Sequence, residues 1–365
     1  MNATAYSDLK AAWHPEKILA MRRGEQVVPV HLQVDLSSLC NHGCKFCGYR
    51  SETGLSSEEF GGLDLRGNFT NNPNRWIDTA KMKEILDDCA ALGVKAVQFT
   101  GGGEPTVHPD HIEVFAYALD HGLDVALVTN LSRLKEGWRA IFPRFTWIRA
   151  SIDAGSAASY AAIRDVPDHA YRKVLDHMAI VAQQLNWSGS KCLFGAGYVI
   201  TQDNWRELVE GIQAIRATGV AYVRLSAVFS IEGSKPYIDI HDQIVERIAE
   251  AKKLETDTFK ILNLYGNRIA DLDTGSPEFQ FCGQQQMTVY LGGNLKLFRC
   301  CNTAFQKQGE VGDLTHQSFA EWFKSEEKRI AYADFDARTC RFCQFLGKNR
   351  VINGLVGKPE HVNFT

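Results

Sequence analysis

The residues most able to do chemistry are the eight of Cys40-Asn41-His42-Gly43-Cys44-Lys45-Phe46-Cys47. Three thiols in one short polar loop can point at a single centre, and thiolates are the ligands that hold iron–sulfur clusters. Three ligands leave one iron of a four-iron cluster without a protein ligand, and an open metal position is where chemistry happens. Zinc is the competing reading, although zinc sites favour paired C-x2-C units, and a disulfide cannot use three neighbouring cysteines evenly.

Two further stretches have the composition of a site. Gly101-Gly102-Gly103-Glu104-Pro105 follows an apolar run at 95–100. Glycines at a strand end let the backbone approach a ligand, and Glu104 offers an acceptor to a cationic group. Taken alone, the run also reads as an ordinary glycine turn. In the last quarter, Cys282 is followed by Gly292-Gly293, Cys300-Cys301, the run 309–314 (GEVGDL) and Cys340-Arg341-Phe342-Cys343. Four of these thiols could bind zinc or an auxiliary iron–sulfur cluster, and spacing does not choose between them. Cys89 and Cys192 stand alone and read as buried apolar thiols.

These groups need elements to carry them. Residues 28–36 (VPVHLQVDL) read as a strand that delivers the cysteine loop at its C-terminal end. A helix over 78–92, with an Asp cap and a closing Gly93, precedes the strand 95–100. Strands at 123–129, 146–152, 192–200 and 221–228 then alternate with helices near 109–121, 169–186 and 204–218. Repeated βα units of this kind build a parallel sheet, and six of them predict an α/β fold, a partial (β/α)6 TIM-like barrel with a small C-terminal cysteine-rich module. Active residues would lie at the strand C-terminal ends, where the cysteine loop and the glycine run both fall.

The expected organisation is an N-terminal brace over 1–30, the barrel over 31–235, a connecting region over 236–275, the cysteine-rich module over 276–350 and a tail over 351–365. Residues 51–76 form a polar Gly/Asn/Ser insertion, readable as an active-site cover or as a surface loop.

A net charge of −3 over 365 residues gives no basic footprint for bulk nucleic acid. The sequence shows no apolar run of membrane-spanning length and no N-terminal signal pattern, so the expectation is a cytoplasmic protein. Ten cysteines in such a chain argue for metal or redox chemistry over disulfides.

The pattern C-x3-C-x-Phe-C, joined to GGGEP on the following strand, resembles the radical S-adenosylmethionine (SAM) superfamily. The resemblance implies a [4Fe-4S] cluster held by Cys40, Cys44 and Cys47, whose open iron chelates SAM. It implies that Gly102, Gly103 and Glu104 lie at the SAM amino group, and that Phe46 lies near the adenine. Ser151 and Asp153, with Arg164 a helical stretch later, resemble a region that touches the SAM ribose and carboxylate. Thr129-Asn130 resembles a Thr-Asn-Gly motif in which Leu131 replaces the glycine, so Asn130 is carried over as a cofactor contact. The C-terminal cysteines resemble the SPASM/twitch extension in its shorter form, with Cys282, Cys340, Cys343 and one of the Cys300/Cys301 pair, Cys300 by preference, as ligands of one auxiliary [4Fe-4S] cluster.

In that family a flavodoxin or ferredoxin supplies an electron, SAM is cleaved, and a 5′-deoxyadenosyl radical removes a hydrogen atom from a substrate C–H. The expected outcome is epimerisation or oxidation of a small polar molecule such as a sugar or nucleoside. The alternative is a maturase acting on a ribosomal peptide or protein side chain, and the remote one a non-catalytic metal-binding protein. Cys301, beside the expected ligand Cys300, and Cys192, on a barrel strand, are the candidate hydrogen-atom donors.

Overall fold

The computed structural model describes residues 6–51, 53–56 and 76–357. Its core is a sheet of ten strands: β1 (His31–Asp35), β2 (Ala96–Thr100), β3 (Asp124–Thr129), β4 (Trp147–Ser151), β5 (Leu193–Ile200), β6 (Tyr222–Ala227), β7 (Lys260–Asn263), β8 (Thr288–Leu291), β9 (Lys296–Phe298) and β10 (Glu310–Asp313). The strand order is β10-β9-β8-β1-β2-β3-β4-β5-β6-β7. Neighbours from β8 through β7 are all parallel, and β9 and β10 turn antiparallel at the far edge. Sequential parallel strands with crossover helices are barrel winding, left open between β7 and β8.

Each strand alternates. Leu32, Val34, Val97, Phe99, Val125, Leu127, Ile148 and Val223 point outward and are buried under the helices. The opposite face carries Gln33, Gln98, Arg149 and Arg224, and these line an interior cavity. An ordinary barrel packs its interior with branched apolar side chains. This one keeps an open interior with these polar side chains in its lining.

The helix Thr79–Leu92 forms as its ends dictate. The Asp78 carboxylate accepts from the Ala80 and Lys81 amides, and Gly93 closes it at φ 90°. Three features differ from the sequence expectation. The first strand starts at His31, three residues later than expected, with the Val30 amide donating to the Met287 carbonyl just ahead of β8. A short helix, Ala157–Arg164, sits between β4 and β5, nucleated by a Ser156/Ser159 capping box. The strand β8, in the cysteine-rich segment, hydrogen-bonds directly to β1.

The N-terminal segment is more than a brace. Tyr6, Asp8, Lys10 and His14 line the interior cavity, and residues 8–13 pack on the helix Leu346–Val356. Most of the 51–76 insertion lies outside the described residues. Where it can be followed, Gly54 bridges to Ser230, and Leu55 and Ser56 line the cavity. Among the described residues no helix is long and apolar enough to cross a membrane.

Candidate active site

The loop after β1 is fixed from three sides. The Gly43 amide donates to the Arg164 carbonyl (2.9 Å) and the Lys45 amide to the Ile163 carbonyl (3.0 Å). Asn130 Nδ2 donates to Asn41 Oδ1 (2.9 Å), and Asn41 Nδ2 to Ser132 Oγ (2.7 Å). A turn brings the Cys47 amide to the Cys44 carbonyl (3.1 Å), and all three thiols face the cavity. Burial raises each of them, Cys40 to about 12 with the Glu104 carboxylate adding to it, and Cys47 to about 11. Thiols this reluctant to ionise in the free state become thiolates when a metal displaces the proton.

The residue that organises the site was not anticipated. Asp35, at the end of β1, accepts from Ser38 Oγ (2.7 Å), the Gly103 amide (3.1 Å) and the Gly293 amide (3.3 Å). One buried carboxylate therefore holds the cysteine loop, the glycine loop after β2 and the turn after β8 together. Burial lifts its pKa to about 6, with those donors opposing the rise. An acid ending an apolar strand, VPVHLQVDL, was the available signal. Tyr290 adds a second tie, its hydroxyl donating to the Gly101 carbonyl (2.8 Å).

Glu104 ends the glycine run and lines the cavity. Its carboxylate accepts from Thr106 N (3.1 Å), Thr106 Oγ1 (2.7 Å), Thr129 Oγ1 (2.6 Å) and Asn130 N (2.7 Å). Three of these donors converge on Oε1 and one on Oε2, so the contacts shape the strand ends while Oε2 keeps acceptor capacity. Gly102 and Gly103 line the cavity, and a Cβ at Gly103 would lie 2.2 Å from the Leu39 carbonyl oxygen.

Ser151, Asp153 and Arg164 all line the cavity. Asp153 and Arg164 form a buried ion pair, and the second Asp153 oxygen accepts from the Val199 amide (2.6 Å). Arg164 is only 4% exposed, so it is no solvated helix arginine, and its Nε has no partner. Phe46 and Asn130 also line the cavity. Leu131, in the place of the motif glycine, adopts φ 53°, the left-handed conformation a glycine would take freely.

The C-terminal cysteines divide. Cys282, Cys300, Cys340 and Cys343 line a small separate pocket walled by Phe279, Phe335, Phe342 and Phe345. Arg299 lies buried beside them, stacked on Phe335 (4.0 Å) and bonded to Gln285 Oε1 (2.7 Å), a fixed positive charge facing a thiolate set. Cys301 lines the barrel cavity instead, with Gln344 Nε2 2.8 Å from its sulfur. Cys192 corrects the expectation. It precedes β5 at the end away from the cysteine loop, packs against the core and does not line the cavity.

Among the described residues, no group of three or more His, Cys, Asp or Glu is arranged to hold a single ion. A lone tetrahedral ion with bonds of about 2.3 Å needs its sulfurs within about 4 Å of one another. Three thiols on one cavity wall and four around one small pocket are donor sets of the kind that hold iron–sulfur clusters. By that test Cys40, Cys44 and Cys47 would hold a three-ligand cluster at the cavity wall, and the second set a closed four-ligand one.

An open parallel barrel with a three-cysteine loop after its first strand and a glycine loop after its second defines a radical SAM domain. Residues 34–210 match the Radical SAM superfamily. It is 28% identical over 152 residues to the mycofactocin maturase MftC of Mycobacterium tuberculosis, covering 41% of this chain and 34% of that protein. It is 26% identical over 166 residues to the AdoMet-dependent heme synthase of Methanosarcina barkeri, covering 43% and 42%. These matches span less than half the length of either relative. SuiB of Streptococcus suis bound to S-adenosylmethionine has the same fold, with a TM-score of 0.60 at 14% identity, over 87% of this chain and 71% of SuiB.

Proposed function

We propose that the protein is a radical SAM enzyme that removes a hydrogen atom from a small polar substrate inside the barrel and returns one from Cys301, an epimerisation. The observation that carries this reading is the separation of Cys301 from its neighbour: it faces the cavity of the cysteine loop, while four other thiols form a set of their own. When bound, the cluster on Cys40, Cys44 and Cys47 and its SAM supply a 5′-deoxyadenosyl radical. The chain's own part is to hold the substrate carbon beside that radical and to exclude water.

A cavity of about 1120 Å3 exceeds the usual volume for one ligand and suits SAM with a small partner. Cys301 then breaks its S–H bond to form the new C–H bond, and the sulfur radical left behind takes up one electron and one proton. A low-potential donor such as flavodoxin or ferredoxin supplies the electron. Burial raises the Cys301 thiol to about 12, so at neutral pH it keeps the hydrogen it must give. Cys282, Cys300, Cys340 and Cys343 are assigned to an auxiliary [4Fe-4S] cluster.

A second reading is a peptide maturase. MftC is named as one, and SuiB is known bound to its precursor peptide SuiA. The test is turnover in D2O. Epimerisation through Cys301 places one solvent-derived deuterium on the product carbon, and Cys301→Ala gives none. Product without deuterium, or label undiminished in the variant, removes Cys301 from the reaction.

A further inference from the structure

Two buried arginines face the cavity, and among the described residues neither makes an ion pair with a carboxylate. Arg149 on β4 and Arg224 on β6 both line it, one layer deeper than Ser151 and Ser226. The strand between them presents glycines. Arg149 is in register with Gly195, and Gly197 with Arg224. A Cβ at Gly197 would rest 3.5 Å from the Arg149 stem, so β5 leaves the two guanidinium groups room.

Their partners are few. Arg149 Nη1 donates to the Tyr6 hydroxyl (3.2 Å), and Arg224 lies over the Tyr6 ring at 5.7 Å. Arg224 Nε is buried without a hydrogen bond. Among the described residues, Asp153 is the carboxylate that both arginines feel, and it is committed to Arg164. Arg268, the next cation toward Arg224, is itself paired with Asp271 (3.0 Å). Two like charges in a low-dielectric cavity are costly unless an anion meets them, and planar guanidinium forks suit carboxylate and phosphate oxygens.

We propose that Arg149 and Arg224 clamp an anionic group of the substrate, a carboxylate or a phosphate, with the Tyr6 hydroxyl completing the site. This rests on reading the cavity as the active site, and it narrows the substrate class from polar to anionic. The N-terminal segment, through Tyr6, thereby becomes part of the binding site.

The test uses the reconstituted protein with saturating SAM, titrated calorimetrically with inorganic phosphate and, separately, with malonate. One or both should bind alongside SAM, and the tighter of the two identifies the anion. Arg149→Met and Arg224→Met should each weaken that binding by about tenfold or more, because a hydrogen bond to a charged group is lost. Arg224→Lys should recover part of the loss. SAM affinity and iron content should stay at the wild-type level in all three. Failure of both anions to bind, or SAM affinity falling in step with anion affinity, overturns the proposal; the second result would make the pair a cofactor-carboxylate site. Anion binding does not need SAM cleavage, so an inert but anion-binding protein would sink the enzymatic reading and leave the clamp standing.

Discussion

Cys300 and Cys301 are joined by one peptide bond yet open into different cavities, the first into the pocket of Cys282, Cys340 and Cys343, the second into the barrel. Reconstituted wild-type protein should carry about eight irons, two four-iron clusters. Cys300→Ala should lose about four of them, and Cys301→Ala none. Iron and sulfide counting decides it, and equal loss in the two variants would contradict the division.

Acid titration should expose Asp35. Burial raises its folded pKa to about 6, above the ordinary carboxylate value of about 4. The folded protein therefore holds this proton more tightly than the unfolded chain. Its contribution to stability is present below about pH 4 and is lost as pH rises through about 6. Urea unfolding midpoints measured from pH 5 to 7.5 should contain a component that falls with rising pH and vanishes in Asp35→Asn. An unchanged pH slope in the variant would count against this role.

The Asp153–Arg164 pair should be costly to break. Removing one partner leaves a buried charge uncompensated, at about 3–5 kcal/mol. Arg164→Met should lose that much in chemical denaturation, while the double variant with Asp153→Asn should recover part of it. A loss below about 1 kcal/mol in the single variant would mean the pair is not buried as described.

The loop after β2 leaves no room for a side chain. A Cβ at Gly103 would meet the backbone of Leu39, Ser37 and Ser38 at 2.2–2.5 Å, and backbone cannot step aside as a side chain can. Gly103→Ala should therefore weaken SAM binding by about tenfold or more, with the fold destabilised by about 1–3 kcal/mol. Unimpaired SAM binding in a folded variant would free the loop from this role.

The parts legible in the sequence were those carried by local spacing. The cysteine loop, the glycine run and the βα alternation are short-range patterns, and the barrel follows from them. The strand alternation also held the polar interior, since Gln33, Gln98, Arg149 and Arg224 occupy the face opposite Leu32, Val97, Ile148 and Val223. The illegible parts depend on chain segments far apart. The pairing of β8 with β1 joins residues some 250 positions apart, and Asp35 acts through Gly103 and Gly293 together. The ties from Thr106 and Thr129 to Glu104 Oε1 are likewise absent from the motif read by itself. Cys192 stands just before β5, at the end away from the cysteine loop.

The most direct test of the account is anaerobic incubation of reduced, reconstituted protein with SAM, followed by quantitation of 5′-deoxyadenosine. The wild type should form it, and Cys40→Ala, Cys44→Ala and Cys47→Ala should each abolish it. Formation undiminished in any of the three, or none from a wild type of full iron content, would contradict the assignment of the loop as the radical-generating site.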